Sequence, residues 1–220
     1  AKARASFAQV GNDMDAYQLY NTYSIGSDPN GNTTAGQGKT KYDADVRSEL
    51  ITSWEAGAEL KFFNNRLGVD FAWYKTNAKR QLMNIPLNNL SGYDNMKVNA
   101  GNIQNTGIEI MLNARPIETA QFSWDTQLNF SQNKSKIIEL LPGKPGMQYA
   151  LGGSDALQVY AVAGGAYGEI WGTKYQRVEE GEFKGQLLLN ESGLPQATSD
   201  KHKIGEQQPD FLLGWTNTFN

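Results

Sequence analysis

The sequence predicts an all-β chain: antiparallel strands of a transmembrane β-barrel, a partial barrel of about six to seven strands with long outer loops. Three observations lead there. Two pairs of segments alternate apolar with polar residues over about ten residues each, longer than ordinary globular strands and matched to a bilayer crossing. Aromatic residues gather towards the ends of these runs. The connections are strongly unequal, two tight turns against several long polar segments.

The first hairpin begins after Lys2 to Val10, which already reads as structure. Trp54, Ala56, Ala58, Leu60 and Phe62 share one face, opposed by Glu55, Gly57, Glu59 and Lys61. A turn is expected at Asn64-Asn65. The return strand places Leu67, Val69, Phe71 and Trp73 on the apolar face and Gly68, Asp70, Ala72 and Tyr74 on the other. Period two of this length specifies a sheet with one apolar and one polar side, because a helical period would scramble the two sets.

The second hairpin repeats the design. Ile108, Ile110, Leu112 and Ala114 oppose Glu109, Met111, Asn113 and Arg115. The turn is expected around residues 117–121 with Pro116 at its edge, where a missing N–H does least harm. Trp124, Thr126, Leu128 and Phe130 then alternate with Ser123, Asp125, Gln127, Asn129 and Ser131. Trp54 and Phe62 are separated by about 27 Å of strand at ~3.4 Å per residue. Tilted near 40°, that becomes about 21 Å along the normal, close to the ~25 Å apolar band of outer-membrane barrels. The competing arrangement is a sandwich core filled by the same aromatics.

Long polar segments are expected at residues 11–45, 77–102 and 134–208. In a barrel they face outward or fold over the lumen, while the two tight turns face the periplasm. Phe211 to Asn220 reads as a further strand.

Bulk properties limit the function. The 220 residues carry a net charge of -3, no cysteine and one histidine. Basic residues are scattered singly, which argues against a nucleic-acid partner. Without cysteine there is no disulfide framework or thiolate metal site. No apolar run approaches a transmembrane helix, and the mean hydropathy is -0.56, a poor guide for strands that face lipid with every second residue. Ala1 is not a methionine and no signal segment follows it. Both ends predict that residues 1–220 are a fragment of something longer.

Several runs resemble the SusC/RagA family of TonB-dependent outer-membrane transporters. Residues 54–67 (WEAGAELKFFNNRL) and 69–74 (VDFAWY) look like a barrel hairpin of that family. Residues 99–109 (NAGNIQNTGIE) are similar to its "NAG-(E/N)-I-x-N-x-G-(V/I)-E" signature, and residues 122–134 to the strand that follows. Tyr167 to Gly172 is similar to its "fyGyky" stretch. Residues 204–211 (IGEQQPDF) resemble "IGNxxPDF", with Glu206 and Gln207 departing from it. The matches run in family order over most of residues 50–220, and residues 1–49 fit more loosely. The resemblance implies a large barrel around a plug in the outer membrane of Bacteroidetes. It would be powered by the TonB complex through an N-terminal part this sequence lacks, and capped by a SusD-like lipoprotein. The import of oligosaccharide or peptide substrate is implied with it. The alternative function is a soluble carbohydrate-binding β-sandwich module.

No catalytic constellation is evident, and neither cofactor nor metal is expected. His202 lies in a polar stretch and reads as a solvated loop residue. Glu179, Glu180 and Glu182 lack EF-hand spacing and read as an exposed turn. Residues 28–32 (DPNGN) offer oxygens at alternate positions but no distal glutamate. Glu55, Glu59, Asp70 and Glu109 fall on the polar strand face, the expected wall of a wet lumen. Candidate ligand contacts are aromatics on the long segments: Tyr93, Tyr149, Tyr160, Tyr167, Trp171 and Tyr175. A ring with polar neighbours stacks on a sugar or holds a peptide side chain.

Overall fold

The computed structural model describes residues 1–14 and 20–220. Thirteen strands are described, in chain order β1 (Lys2–Asn12), β2 (Tyr23–Ser27), β3 (Thr33–Gln37), β4 (Thr40–Tyr42), β5 (Glu49–Phe62), β6 (Leu67–Pro86), β7 (Asn95–Glu118), β8 (Ser123–Glu139), β9 (Gln148–Gly153), β10 (Leu157–Val162), β11 (Tyr167–Gly172), β12 (His202–Glu206) and β13 (Leu212–Phe219). One 3₁₀ turn, Asn89–Ser91, lies between β6 and β7. The main sheet runs β1-β5-β6-β7-β8-β13, every neighbour antiparallel, with β4 added in parallel at the start of β7. Strands β12-β11-β10-β9 form a second sheet and β2-β3 a separate hairpin.

The register turns the alternation in the sequence into two continuous faces. Phe7 stands opposite Trp54, Ala56 opposite Trp73, and Trp73 opposite Ile108. Ile110 stands opposite Phe130, which in turn opposes Leu213. A single apolar surface therefore crosses six strands. A one-residue slip in β1, β5, β6, β7 or β8 would carry charges onto that surface. Nothing among the described residues packs on it: Phe7 is 56% exposed, Trp54 54% and Trp215 68%. The largest buried cluster is small and lies elsewhere, around Ile137, Leu140 and Ala161. Two sheets sharing an apolar core, the sandwich alternative, is not the arrangement adopted.

Aromatic rings border the apolar surface at both heights. On one border Phe7 packs on Trp54 at 4.5 Å and Phe130 on Phe211 at 5.9 Å. On the border nearer the tight turns, Phe219 stacks between Phe122 and Trp124, at 6.3 and 6.0 Å. Such paired girdles mark the two lipid–water boundaries of a transmembrane barrel. Indole N–H groups on this face are satisfied across strands, Trp124 by Asn217 at 3.0 Å and Trp215 by Thr126 at 2.9 Å. In hydrocarbon an unpaired donor would be costly.

The opposite face is polar and cross-braced. Arg4 reaches over β5 to Asp70 on β6, with Nη2 2.8 Å from Oδ1. It can do so because Gly57 lies beneath: a Cβ there would stand 2.8 Å from the Arg4 guanidinium carbon. Gly107 has the same role on β7, where a side chain would collide with the Tyr74 ring. Tyr74 crosses that gap and donates to Asn133 on β8 at 3.2 Å.

Three expectations need correction. Residues 77–102 are not a long loop: β6 and β7 continue through most of them and pair as far as Pro86 and Asn95. β7 has 24 residues, about 80 Å at ~3.4 Å per residue, so over half of it stands outside a bilayer crossing of roughly 9–11 residues. In these upper reaches the apolar alternation is confined to short stretches such as Met96, Val98 and Ala100, of which Val98 and Ala100 are buried, and such stretches are too brief to read as a membrane strand. Residues 134–208 hold a folded sheet, and residues 11–45 hold β2, β3 and β4, with residues 15–19 outside the described residues. Pro116 lies within β7 at a register shift, its carbonyl held by Arg66 at 2.9 Å, and the turn is Thr119 to Phe122.

One break in the ladder is notable. The Ile137 N–H donates to Gly165 at 2.9 Å and its carbonyl accepts from Gly164 at 2.8 Å, both on the edge away from β7. By the two-residue alternation of antiparallel pairing, Asn133 and Ser135 turn their backbone groups the same way. β13 reaches only as far as Leu212, opposite Ser131. Among the described residues the ladder beside β8 is therefore interrupted over Asn133 and Ser135.

The two faces predict different tolerance to charge. In the full-length protein, Ile110→Arg should destabilise the barrel by about 2–4 kcal/mol. Met111→Arg, one residue away on the polar face, should cost under about half of that. Urea unfolding in lipid vesicles measures both.

Candidate functional site

The second sheet carries four of the six aromatics expected to touch ligand, and the glycines decide how it folds. Gly168, at φ +88, forms a bulge that shifts the β10–β11 register between Tyr160 and Ala161. Tyr160 pairs with Glu169, Gln158 with Trp171, Trp171 with Lys203, and Glu169 with Glu206. All six side chains thus share one face. Tyr160 and Trp171 meet edge to face, centroids 6.3 Å apart at 88°, a favoured aromatic geometry. The Tyr160 hydroxyl is hydrogen-bonded to Gln158.

Glu169 is the buried centre of this face, its side chain only 6% exposed. Its carboxylate accepts from Lys203 at 2.9 Å, from the Trp171 indole at 3.0 Å and from the Ala166 N–H at 3.2 Å. Lys203 is shared with Glu206 at 2.6 Å. Burial pushes the Glu169 carboxyl up, but the hydrogen bonds from Lys203, Trp171 and Ala166 outweigh it, and the net value lies below the ordinary carboxylate range.

Below this face a cleft of about 560 Å³ runs between β8 and the second sheet. It is bordered by Lys134, Ser135, Tyr167, Glu169, Lys203 and Gln208 among others. Tyr167 is 40% exposed at its mouth and is anchored by its N–H on Ser135 Oγ at 3.1 Å. Tyr175 lies apart, bridged to Ala197 and lining a hollow of about 1120 Å³ with Arg177, Leu188 and His202. Tyr149 faces the other way and packs on the Ile137 cluster, its hydroxyl on the Asn84 carbonyl at 3.4 Å. Tyr93 belongs to the β6–β7 connection and is held through Ser91. The structure therefore groups Tyr160, Trp171 and Tyr167 and separates the other three.

The remaining polar candidates resolve as structure. His202 opens β12 opposite Gly172 rather than lying in a loop, and is exposed. Asp28 uses its oxygens on Asn30 N–H and on Asn32, at 2.8 and 2.9 Å, to close the β2–β3 turn. Among the described residues no group of three acids or histidines is placed to hold a metal.

A family model described as the TonB dependent receptor-like beta-barrel matches residues 2–196. The chain belongs to this family. It is similar to TonB-dependent receptor P3 of Formosa agariphila, 27% identical over 98% of this chain and 24% of that protein. It is also similar to TonB-dependent receptor SusC of Bacteroides thetaiotaomicron, 28% identical over 94% of this chain and 22% of that protein. Among solved structures, the RagAB peptide transporter matches with a TM-score of 0.74 at 18% identity, over 99% of this chain and 24% of that one. The chain spans about a quarter of the length of these curated relatives. At that identity the RagAB likeness establishes the shared fold.

In this receptor barrel the second sheet is held by one buried ion pair with three hydrogen bonds, a centre the sequence reading missed. Glu169 and Trp171 stand two apart on a strand and so share a face, which was visible in the sequence. Lys203 was not, because only the bulge between Ile170 and Trp171 brings it beneath Glu169. Since the folded carboxyl titrates below its unfolded value, its contribution is complete above pH about 4.3 and is lost as pH falls through the lowered folded value. Hydrogen-exchange protection at Ile170 to Gly172, corrected for intrinsic rate, should therefore drop on acidification below that range. Glu169→Ala should lower local stability by about 2–3 kcal/mol at neutral pH and abolish the acid dependence.

Proposed function

We propose that the protein supplies part of the wall and outer sheet of a TonB-dependent outer-membrane transporter that imports glycans or peptides together with a SusD-like surface lipoprotein. The observation that carries this reading is the six-strand wall. Its exposed apolar surface lies between two aromatic borders and is backed by a polar, cross-braced face. A surface of that size and regularity suits lipid, and the polar side suits a hydrated lumen. Coupling to TonB would run through parts of the protein outside this sequence. Membership of the receptor barrel family and likeness to SusC and RagAB support the transport role.

In this reading the ligand meets the second sheet from the outside. Tyr167 at the cleft mouth and Tyr175 in the neighbouring hollow are the aromatics whose rings are open enough to stack on it. Tyr160 and Trp171 stiffen the surface behind them. Tyr93 and Tyr149 remain candidates for partner or ligand contact through the β6–β7 connection and the sheet's other side.

The test uses the full-length receptor in its own outer membrane. Accumulation of labelled oligosaccharides and peptides is measured in cells with the receptor, without it, and with TonB removed. Receptor-dependent accumulation should vanish without TonB, and a SusD-like lipoprotein should copurify. Tyr167→Ala with Tyr175→Ala should lower accumulation several-fold, about 1–2 kcal/mol of lost stacking, at unchanged receptor level. Accumulation that persists without TonB would sink the transport reading.

A further inference from the structure

The charge on the lipid-facing side of the wall is distributed unevenly from the aromatic border outward. In the register, the row of Trp54 itself continues across β6, β7 and β8 as Lys75, Thr106 and Lys134. The row above it is Asn77, Gln104 and Lys136, and the third is Lys79, Asn102 and Glu139. Lys75, Lys134 and Lys136 thus stand within two rows, with no carboxylate among them on that face. The wall's acids Glu49, Glu55, Glu59, Asp70, Glu109 and Asp125 lie on the polar inner face, while Glu139 stands on the outer one in the third row, beyond those two.

Among the described residues none of these lysines forms an ion pair, in contrast to Lys2, Lys61 and Lys203, which do. The nearby Glu169 and Glu206 are both engaged by Lys203, and among the described residues Asp210, at the same border of the cleft, forms no ion pair. Strands about 4.8 Å apart and a two-residue repeat of about 7 Å place the Lys75 Cα about 10 Å from that of Lys134 and about 12 Å from that of Lys136. Long lysine stems let their ammonium groups converge on a single anionic group while the methylenes stay against the apolar border.

We propose that Lys75, Lys134 and Lys136, with Lys79 one row above, form a docking surface for the phosphorylated head group of an outer-leaflet lipid. The height decides the partner. The lysines begin where the hydrocarbon-facing residues end, so a phosphate at that level belongs to a lipid whose acyl chains lie along Trp73, Ile108 and Phe130 below. Clustered lysines at a membrane boundary recognise anionic head groups, and lysine binds phosphate as a point charge. This rests on the barrel reading given above.

The full-length receptor, purified from outer membranes in detergent, is titrated with lipid A carrying its phosphates, with dephosphorylated lipid A, and with inorganic phosphate. Bound lipid is counted by native mass spectrometry. Phosphorylated lipid A should bind about tenfold or more tightly than the dephosphorylated form. Lys75→Gln, Lys134→Gln and Lys136→Gln combined should remove that advantage, and Arg at the same three positions should restore it. Inorganic phosphate should not compete. Equal binding of the two lipids, or full binding by the glutamine variant, overturns the proposal, as does displacement by inorganic phosphate, which would make this a free-anion site. A wild-type receptor that shows no heat-modifiable mobility would strike the barrel reading instead, so the two failures are distinguishable.

Discussion

The constraint on which this structure depends is that a backbone exposed to hydrocarbon must find all its hydrogen bonds in neighbouring strands. Pairing is therefore continuous through the apolar band, and continuous pairing leaves no freedom of register. Once the register is fixed, each strand's alternation sends one set of side chains to the lipid and the other to the interior. The indoles of Trp124 and Trp215 obey the same rule at side-chain level by bonding to Asn217 and Thr126.

The inner face is governed by a different need, to order polar side chains in a wet space. Arg4 and Tyr74 each span a whole strand, and each crosses at a glycine. These links join strands that are not neighbours: β1 to β6, and β6 to β8. The individual ion pairs are solvent-screened and weak. Their value is geometric, since each relates three strands at once. Above the band the strands overshoot the membrane, and β8 offers Ile137 and Ser135 as the base on which the second sheet is seated.

The wall was legible in the sequence because lipid on one side and water on the other impose opposite chemistry on alternate residues. Trp54 to Phe62 and Leu67 to Trp73 show that contrast at every step. Beyond Lys75 it shortens to brief stretches such as Met96, Val98 and Ala100, where Val98 and Ala100 are buried in protein rather than facing lipid, so β6 and β7 read as loops though they continue as strands. The second sheet was hidden for another reason. Its strands are six residues or fewer, and its centre at Glu169 is assembled through bulges that displace the pairing by a residue. The resemblance of residues 167–172 to a family stretch marked the place but gave no geometry. Aromatic type alone could not distinguish Tyr149, turned to the core, from Tyr167 at the cleft.

The interrupted ladder beside β8 also fixes how deep the protein can sit. Asn133 and Ser135 hold out N–H and C=O groups that no strand among the described residues receives, so water must reach them. The hydrocarbon slab cannot rise past Ser131 on that side without stranding them in oil. Ser131 neighbours Phe130, the ring that marks the aromatic border by its contact with Phe211. Two unrelated kinds of chemistry, the preference of rings for an interface and the thirst of bare peptide groups, thus act as one depth gauge.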